Sequence, residues 1–200
     1  MILETVAVGA YQANCYVLAQ KDGSKAIIID PGAEYSKIKK VIDKHKLTPK
    51  MIINTHGHID HIGANDQFGL SVYIHEDDAD FLADSKKNMS ALLNLPSLSK
   101  TEIKTLKDKD KIGVDNLTLE VMHTPGHTPG CICLKKDDVL FTGDTLFAGG
   151  IGRTDFPYAC EEKMIESLKK LMSLADNIKI FPGHGPSSTI GEERSSNPFI

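Results

Sequence analysis

The segment Thr55–His61 holds the densest group of side chains in this sequence that could bind a metal ion. It reads Thr-His-Gly-His-Ile-Asp-His and so contains His56, His58, Asp60 and His61. Residues two apart in an extended segment point the same way, which lets His56 and His58 bind one cation, while Asp60 and His61 are available to a second. Neutral imidazole and carboxylate suit zinc, and also iron and manganese. The spacing therefore predicts a metal site rather than a solvated histidine-rich loop.

Three further candidate ligands follow predicted strands later in the chain. His127 lies in the turn Thr124–Gly130, which is rich in proline and glycine, Asp144 lies in Thr-Gly-Asp-Thr, and His184 lies in Pro-Gly-His-Gly. A single histidine in such a turn is more often an ordinary surface residue. Three candidate ligands at three strand ends, downstream of a histidine-rich motif, favour one shared metal centre at an edge of a sheet.

The elements that must position these side chains are predicted from hydrophobic periodicity and turn residues. Strands are predicted at Ile2–Val8, Cys15–Ala19, Lys25–Ile29, Met51–Ile53, Ser71–His75, Leu117–His123, Cys131–Lys135, Val139–Thr142 and Ile178–Phe181. Helices are predicted at Glu34–Lys46, Glu76–Asp84 and Glu161–Leu174, the last with a buried stripe of Met164, Ile165, Leu168, Leu171 and Met172. Residues 85–100 are expected to form a cover or a loop with one helical turn. This mixture of strands and helices indicates a layered α/β architecture with helices outside.

Composition and charge restrict the class of protein. Hydrophobic residues make up 40% of the chain and charged residues 25%, which is ordinary for a soluble chain with a core. The net charge of −4 gives no reason to expect nucleic acid or an anionic membrane as a partner. No apolar run is long enough to cross a bilayer, and the N-terminus lacks the pattern of a secretory signal. We therefore expect a cytoplasmic monomer or small homo-oligomer that acts on a small molecule, with its four cysteines serving as small hydrophobic residues.

The ordered set of motifs resembles the metallo-β-lactamase superfamily. The set consists of Asp30 in Ile-Ile-Asp-Pro-Gly, the His-x-His-x-Asp-His segment, His127, Asp144 and His184, and it extends over nearly the whole chain. The resemblance implies an αββα four-layer sandwich with a dinuclear metal site at one edge. We expect a single domain covering residues 1–200.

The same resemblance implies a role for each candidate residue. One metal would take His56, His58 and His127, the second would take Asp60, His61 and His184, and Asp144 would bridge them. Asp30 is expected to steady the ligand loop from behind. The implied cofactors are two divalent cations, with zinc expected and iron or manganese as alternatives. The expected nucleophile is a hydroxide that bridges the two cations, with Asp60 as the catalytic carboxylate.

A carboxylate at position 144, where zinc β-lactamases carry a cysteine ligand, indicates the glyoxalase II-like branch of this superfamily. The expected reaction is the hydrolysis of a small acyl thioester such as S-lactoylglutathione, because a thiolate leaves with little protonation. Gly57 stands where glyoxalase II usually carries a third, non-ligating histidine. The sequence ends soon after His184, so we expect no C-terminal helical domain for glutathione, and whether glutathione is part of the substrate stays open.

Two other activities on the same scaffold stay open, namely a persulfide dioxygenase with a single iron and a lactonase. A metal-binding structural module is a third alternative. The Gly-Arg-Thr-Asp element is shared with short hydrolases and with persulfide dioxygenases, so that Arg153 and Asp155 either contact substrate or form an internal ion pair that shapes the loop. Structural roles are expected for His45, His75 and His123, and Tyr11 and Asn14 are expected to line the pocket.

Overall fold

The computed structural model describes residues 1–93 and 101–200, and its strands, numbered in chain order, form two large sheets and a small ribbon. The first sheet has the spatial order β1 (Ile2–Val8), β2 (Ala13–Ala19), β3 (Lys25–Ile29), β4 (Thr48–Ile53), β5 (Val72–His75) and β6 (Ile103–Leu106). The second sheet has the order β14 (Ser188–Thr189), β13 (Lys179–Pro182), β10 (Val139–Gly143), β9 (Ile132–Lys136), β8 (Leu117–His123) and β7 (Lys111–Val114). The ribbon pairs β11 (Leu146–Phe147) with β12 (Gly150–Ile151).

The helices are short and few in the described residues. The α-helices are α1 (Tyr35–Lys44), α2 (Ile59–Ile62), α3 (Glu161–Met172) and α4 (Ile190–Ser196), and 3₁₀ turns occur at Asn65–Phe68, Glu76–Leu82 and Ser90–Leu93. Within residues 1–93 and 101–200, no helix has both the length and the apolar character that crossing a bilayer requires.

Side-chain alternation in the strands divides the core into layers. In β3, Ile27 and Ile29 pack between the two sheets, whereas Ile28 packs on the opposite face with Ile38 and Ile42 of α1. On the far side of the second sheet, a third apolar cluster joins α3 to β9, β10 and β13 through residues that include Met164, Leu168, Leu171, Cys133, Leu140 and Ile180. Because successive strand residues face opposite sides of a sheet, each sheet buries one face against its partner and the other against helices. The predicted αββα sandwich is confirmed.

Several predicted elements have the observed bounds, and the differences have local causes. β1, β3 and β8 match the predictions, and the predicted hairpin turn between β9 and β10 is present, with Asp137 at a φ of 52°. The predicted helix at Glu76–Asp84 is a 3₁₀ helix that ends at Leu82. Strands β6 and β7 were not predicted, because each has only four residues and lies at a sheet edge, so its apolar signal is short.

The buried face of α3 differs from the predicted stripe at one position. Ile165 is 46% exposed, so its placement in the stripe was wrong. Ser167 is buried instead, and its hydroxyl donates a hydrogen bond to the carbonyl oxygen of Pro125 at 2.7 Å. A small side chain with a satisfied hydroxyl lets the helix approach the Thr124–Gly130 turn closely, and a simple apolar count does not detect such a contact.

Parallel pairing directs the loops that carry the candidate ligands to one end of the molecule. Strands β3, β4 and β5 are parallel to one another, and β10 is parallel to β13. Two main-chain hydrogen bonds join the two sheets at this end, from Ile132 N to Thr55 O at 2.9 Å and from Asn14 N to Gly183 O at 2.7 Å. The loops after β4, β8, β10 and β13 therefore meet over the same edge.

Candidate metal centre

The seven predicted ligands lie in these loops, and their side chains converge. His56, His58 and His127 form one group whose candidate ligand atoms lie within 4.8 Å of one another, and Asp60, His61 and His184 form a second. We call the first the buried group and the second the open group. Asp144 lies between them: its Oδ1 is 3.4 Å from His61 Nε2, and its Oδ2 is 3.6 Å from both His127 Nε2 and His184 Nε2. The structure brings together every ligand that the sequence predicted.

Buried polar atoms in and beside the buried group have no hydrogen-bond partner in the described part of the chain. His58 Nδ1 faces His127 Nε2 at 2.9 Å, and the ring centroid of His56 is 5.0 Å from that of His127. The buried atoms His56 Nε2 and Asp144 Oδ1 find no hydrogen-bond partner among the described residues. Leaving a buried polar atom unpaired costs about 1–3 kcal/mol. A cation between these atoms would remove that cost, so the donor set fits a metal ion.

Hydrogen bonds on the far side of the rings determine which nitrogen is free. His127 Nδ1 donates to the carbonyl oxygen of Arg153 at 2.8 Å, and His184 Nδ1 donates to that of Tyr11 at 3.1 Å. His61 Nδ1 donates to the carboxylate of Asp30 at 3.1 Å. These bonds keep a proton on Nδ1 in each ring, so Nε2 is the nitrogen that faces the centre.

The open group is more accessible than the buried group. The side chains of Asp60 and His184 are 24% and 25% exposed, whereas that of His61 is fully buried. His184 Nε2 is 3.2 Å from His61 Nε2 and 3.3 Å from Asp60 Oδ2. Asp60 and His184 therefore line the cavity described below, whereas His61 lies behind them.

The two groups also differ in their electrostatics. Burial, together with the neighbouring imidazoles, holds the pKa of His56 well below its ordinary value and lowers the pKa of His58 to about 3. Burial acts on His61 in the same direction, but the carboxylates of Asp144, Asp60 and Asp30 outweigh it and raise the pKa of His61 to about 10. The histidines His56 and His58 are thus neutral and ready to ligate, whereas negative charge concentrates around the open group.

Asp30 lies behind both groups, as the resemblance implied. It is 1% exposed, follows β3 at a φ of 51°, and accepts hydrogen bonds from the main-chain N and the hydroxyl of Thr55 at 2.7 and 2.6 Å. Its Oδ2 also accepts the bond from His61 Nδ1. The Thr55 hydroxyl is 3.2 Å from His56 Nδ1, so one carboxylate orients a ligand of each group.

Asp78 is a supporting residue that the sequence did not reveal. Its fully buried carboxylate accepts hydrogen bonds from Gly57 N at 2.9 Å, Gly130 N at 2.6 Å and the Thr128 hydroxyl at 2.6 Å. It therefore ties the His56–His58 segment to the turn that carries His127. The sequence shows only an acidic run at the start of a helix, and nothing in that run distinguishes Asp78 from its exposed neighbour Asp77.

Two glycines allow the close approaches that the centre requires. A Cβ atom at Gly57 would lie 2.3 Å from Cβ of Phe81, so the ring of Phe81 occupies the space that a side chain at position 57 would need. A Cβ at Gly183 would lie 2.1 Å from Asp144 Oδ1 and 2.8 Å from His61 Cε1. Gly183 thus keeps the space between Asp144 and the open group clear.

Four residues near the centre have different roles from one another. Tyr11 lines the cavity, as predicted, but Asn14 does not: it is 5% exposed, and its Nδ2 donates to the carbonyl oxygens of Pro182 and Gly185 on either side of His184. Arg153 and Asp155 form a two-bond ion pair at 2.8 and 2.7 Å, with both side chains more than 60% exposed. Of the two alternatives that the sequence left open, the ion pair is present, and Arg153 also lies where a substrate in the cavity would reach it.

The other histidines and the cysteines lie outside the centre. His45 forms ion pairs with Glu4 and Asp22, whose hydrogen bonds raise its pKa, and His75 stacks on His123 with ring centroids 3.9 Å apart. His123 Nε2 donates to the carbonyl oxygen of Pro129 rather than to a predicted ligand. Cys15, Cys131 and Cys133 are buried, and burial raises the pKa of all three thiols, whereas Cys160 is partly exposed.

A cavity of about 470 Å³ opens over the centre. Its described lining residues are Tyr11, His58, Ile59, Asp60, Met89, Leu92, Leu93, His127, Asp144, Phe147, Ile151, Arg153, Phe156 and His184. Residues 85–93 contribute Met89, Leu92 and Leu93 to its wall, and the remainder of the predicted covering segment, residues 94–100, lies outside the described residues. A substrate in this cavity would contact ligands of both groups.

Comparisons with known proteins agree with this geometry. The model of the metallo-beta-lactamase superfamily matches residues 8–184. The hydroxyacylglutathione hydrolase GloC of Haemophilus influenzae is 38% identical over 213 residues, which cover 100% of this chain and 98% of that protein. The structure of the BLEG-1 B3 metallo-beta-lactamase has a TM-score of 0.89 and 35% identity, covering 99% of both chains. That of TTHA1623 in a di-iron-bound form has a TM-score of 0.85 and 31% identity, covering 98% of this chain and 100% of the other.

Proposed function

The chain belongs to the metallo-beta-lactamase superfamily, and we propose from this premise that it is a hydrolase with two divalent cations that cleaves an acyl thioester. The observation that carries the proposal is the pair of ligand groups with Asp144 between them. A closed structural site uses four ligands around one ion. Seven convergent candidate ligands, five of which line one cavity, instead suit two ions with open positions.

The buried group and Asp144 would hold one cation, and the open group and Asp144 would hold the other. When bound, such a pair lowers the pKa of water towards neutrality and withdraws charge from an acyl carbonyl. Although burial opposes it, His61 and His184 hold the pKa of Asp60 well below its ordinary range. Asp60 therefore remains a carboxylate that can accept a hydrogen bond from water in the cavity and orient it towards a substrate.

The carboxyl groups that line the cavity indicate the kind of leaving group. The carboxyl groups among its described lining residues, Asp60 and Asp144, are both assigned as ligands. A leaving group that departs without taking a proton suits such a site, and a thiolate does so. The relative from Haemophilus influenzae is named as a hydrolase of hydroxyacylglutathione, which is a thioester, and this supports the same reaction type here.

We propose zinc as the cation, with iron and manganese as alternatives that the ligand types also suit. The di-iron form of TTHA1623 supports iron as the principal alternative. A persulfide dioxygenase would hold a single iron, so metal stoichiometry separates the two activities. A cytoplasmic location and a monomeric or small oligomeric state remain predictions.

The test is to measure the metal content of the purified protein together with its hydrolysis of thioesters and lactones. We expect about two equivalents of metal per chain and thioester hydrolysis. His61→Ala should lose one equivalent together with the hydrolysis, whereas His45→Gln, a change at a histidine outside the centre, should lose neither. One iron per chain with oxygen consumption on a persulfide would instead establish a dioxygenase. Lactone hydrolysis without thioester hydrolysis would establish a lactonase.

A further inference from the structure

The cavity over the metal centre has walls that select one kind of acyl group. Resting on the proposed thioester hydrolysis, we propose that the acyl group of the substrate is an apolar chain of several carbons that lies in this cavity. We further propose that the thiol half of the substrate does not depend on charged groups for recognition. The walls, the charges and the shape of the cleft each support this assignment.

The cavity wall is apolar on both sides of the metal centre. The ring of Phe156 lies 5.9 Å from the rings of both His58 and His127, and the ring of Phe147 lies 6.0 Å from that of His184, all between centroids. The remaining apolar lining residues are Ile59, Met89, Leu92, Leu93 and Ile151. An acyl chain that begins at a carbonyl over the ligands would therefore have aromatic or aliphatic carbon on each side.

Leu92 marks the rim of this wall. Leu92 is 74% exposed and Leu93 beside it is 37% exposed, and both residues line the cavity. Covering an exposed leucine with an acyl chain removes apolar surface from water on both molecules, which favours binding. A charged or strongly hydrated acyl group would gain nothing from Leu92.

The charges around the cleft do not suit an anionic thiol such as a tripeptide with two carboxylates. Arg153 is the one arginine or lysine among the described lining residues, and its Nε and Nη2 both donate to Asp155. The guanidinium also lies 4.1 Å from the centroid of Phe156, which forms part of the apolar wall. Arg153 is therefore already paired, and a second carboxylate would find no further arginine or lysine in this described lining.

A second cavity of about 560 Å³ extends the cleft beyond Asp60. It shares Tyr11, Ile59, Asp60 and Leu93 with the first, so the two cavities meet beside the open group. The further charged side chain in its described lining is Glu34, whose carboxylate is 3.7 Å from Lys37 Nζ. The two halves of a thioester can lie on either side of Asp60, and among the described lining residues neither half meets a lysine or arginine without an acidic partner.

The experiment compares acyl chain length and thiol charge on the metal-loaded enzyme. Thioesters of N-acetylcysteamine, a neutral thiol, are prepared with acetyl, butyryl and hexanoyl groups, and S-lactoylglutathione and S-hexanoylglutathione are measured beside them. We expect kcat/KM to rise about fourfold for each methylene that the cavity covers. We also expect hexanoyl thioesters of the two thiols to be cleaved within about threefold of each other, because Arg153 offers a glutathione carboxylate little beyond its existing partner.

A variant at the rim tests the wall directly. Leu92→Asn should lower the ratio of the kcat/KM for hexanoyl to that for acetyl thioesters about tenfold, since a polar side chain at the rim no longer favours binding of the longer acyl group. The matched control is Ile165→Asn, a substitution of an exposed aliphatic residue on the outer face of α3, which should leave the ratio unchanged. Both positions are exposed, so neither variant should fail to fold.

The outcomes separate this inference from the proposed function. Thioester hydrolysis without a rise in kcat/KM with chain length, or with S-lactoylglutathione preferred over S-hexanoylglutathione, overturns the apolar acyl group and leaves thioester hydrolysis in place. A preference of tenfold or more for the glutathione thioester over the N-acetylcysteamine thioester of the same acyl group overturns the neutral thiol half. A metal-loaded enzyme that cleaves none of these thioesters overturns the proposed function and this inference together.

Discussion

The buried group and the open group supply equal numbers of ligands, yet the chain holds them in different ways. The three histidines of the buried group are at most 4% exposed, whereas Asp60 and His184 of the open group are about one-quarter exposed. A side-chain carboxylate, Asp78, joins the two loops of the buried group through three hydrogen bonds. The loop of His184 is held by Asn14 and by the main chain of Tyr11 instead.

This difference separates two requirements of the proposed dinuclear centre. One half must hold its ligands in place before a metal binds, which packing and a buried carboxylate achieve. The other half must remain reachable by substrate and water, and two of its side chains, Asp60 and His184, are partly exposed in the cavity. We therefore expect a cation in the open group to exchange more readily than one in the buried group. Four sets of substitutions test this comparison.

The largest effect is expected from removing one histidine of each group. His127→Ala and His184→Ala should each lower thioester kcat/KM by more than about 100-fold, because each removes an assigned ligand. Their metal contents should differ: after dialysis against a mild chelator, His184→Ala should retain about one equivalent and His127→Ala clearly less. Equal retention by the two variants, measured by elemental analysis, would remove the distinction between the groups.

Asp78→Ala should destabilise the two loops that hold the buried group, because Asp78 bonds to both. The substitution leaves two main-chain N–H groups and one hydroxyl without their buried acceptor, at about 1–3 kcal/mol for each. We expect the free energy of unfolding in urea to fall by about 3 kcal/mol or more, with loss of metal from the buried group. The control is Asp77→Ala, at the exposed neighbouring acid, which should change the free energy of unfolding by less than about 0.5 kcal/mol. Similar unfolding curves for the two variants would contradict the role of Asp78.

Asp30→Asn should affect both groups together, since Asp30 reaches His61 directly and His56 through Thr55. An amide keeps the shape but replaces one acceptor oxygen with a donor. We expect metal affinity and kcat/KM to fall about 10- to 100-fold, measured by competition with a chelating dye and by thioester assay. Thr55→Val removes only the link to His56 and should have a smaller effect. If Thr55→Val were the more damaging of the two, the path through Asp30 would be wrong.

The smallest effect is expected from Asn14→Ala. The amide holds the carbonyl oxygens of Pro182 and Gly185 around His184, so its loss should loosen the open group alone. We expect about a tenfold weaker affinity for one of the two equivalents and no change in the other. Tyr16→Phe, which removes a different hydrogen bond to Pro182, should lower the stability by about 1 kcal/mol without changing the metal content. If Asn14→Ala bound both equivalents of metal more weakly, the two groups would not be held in place independently.

Much of the fold was predictable because its signals are local. The isoleucine-rich β3, the amphipathic α1 and the Asp137–Asp138 turn all lie within short stretches whose residue types indicate their structure. The exposed Ile165 and the buried Ser167 were not predictable in the same way. Their burial depends on how closely α3 approaches a turn about forty residues earlier in the chain, which no window of local sequence contains.

The candidate site shows the same difference between local sequence and tertiary contacts. Residue types and spacing pointed to the seven candidate ligands, because the chemistry of imidazole and carboxylate does not depend on the fold, and the resemblance to the superfamily added Asp30. Only the tertiary structure decided which histidines are buried, which ring nitrogen each turns to the centre, and that Asp78 supports the buried group. These properties come from contacts between distant parts of the chain: His58 meets His127 at a separation of 69 residues, and Asp78 meets Gly130 at a separation of 52. Burial and hydrogen bonding arise when such segments pack together, so the sequence names the ligands and the fold determines how each is held.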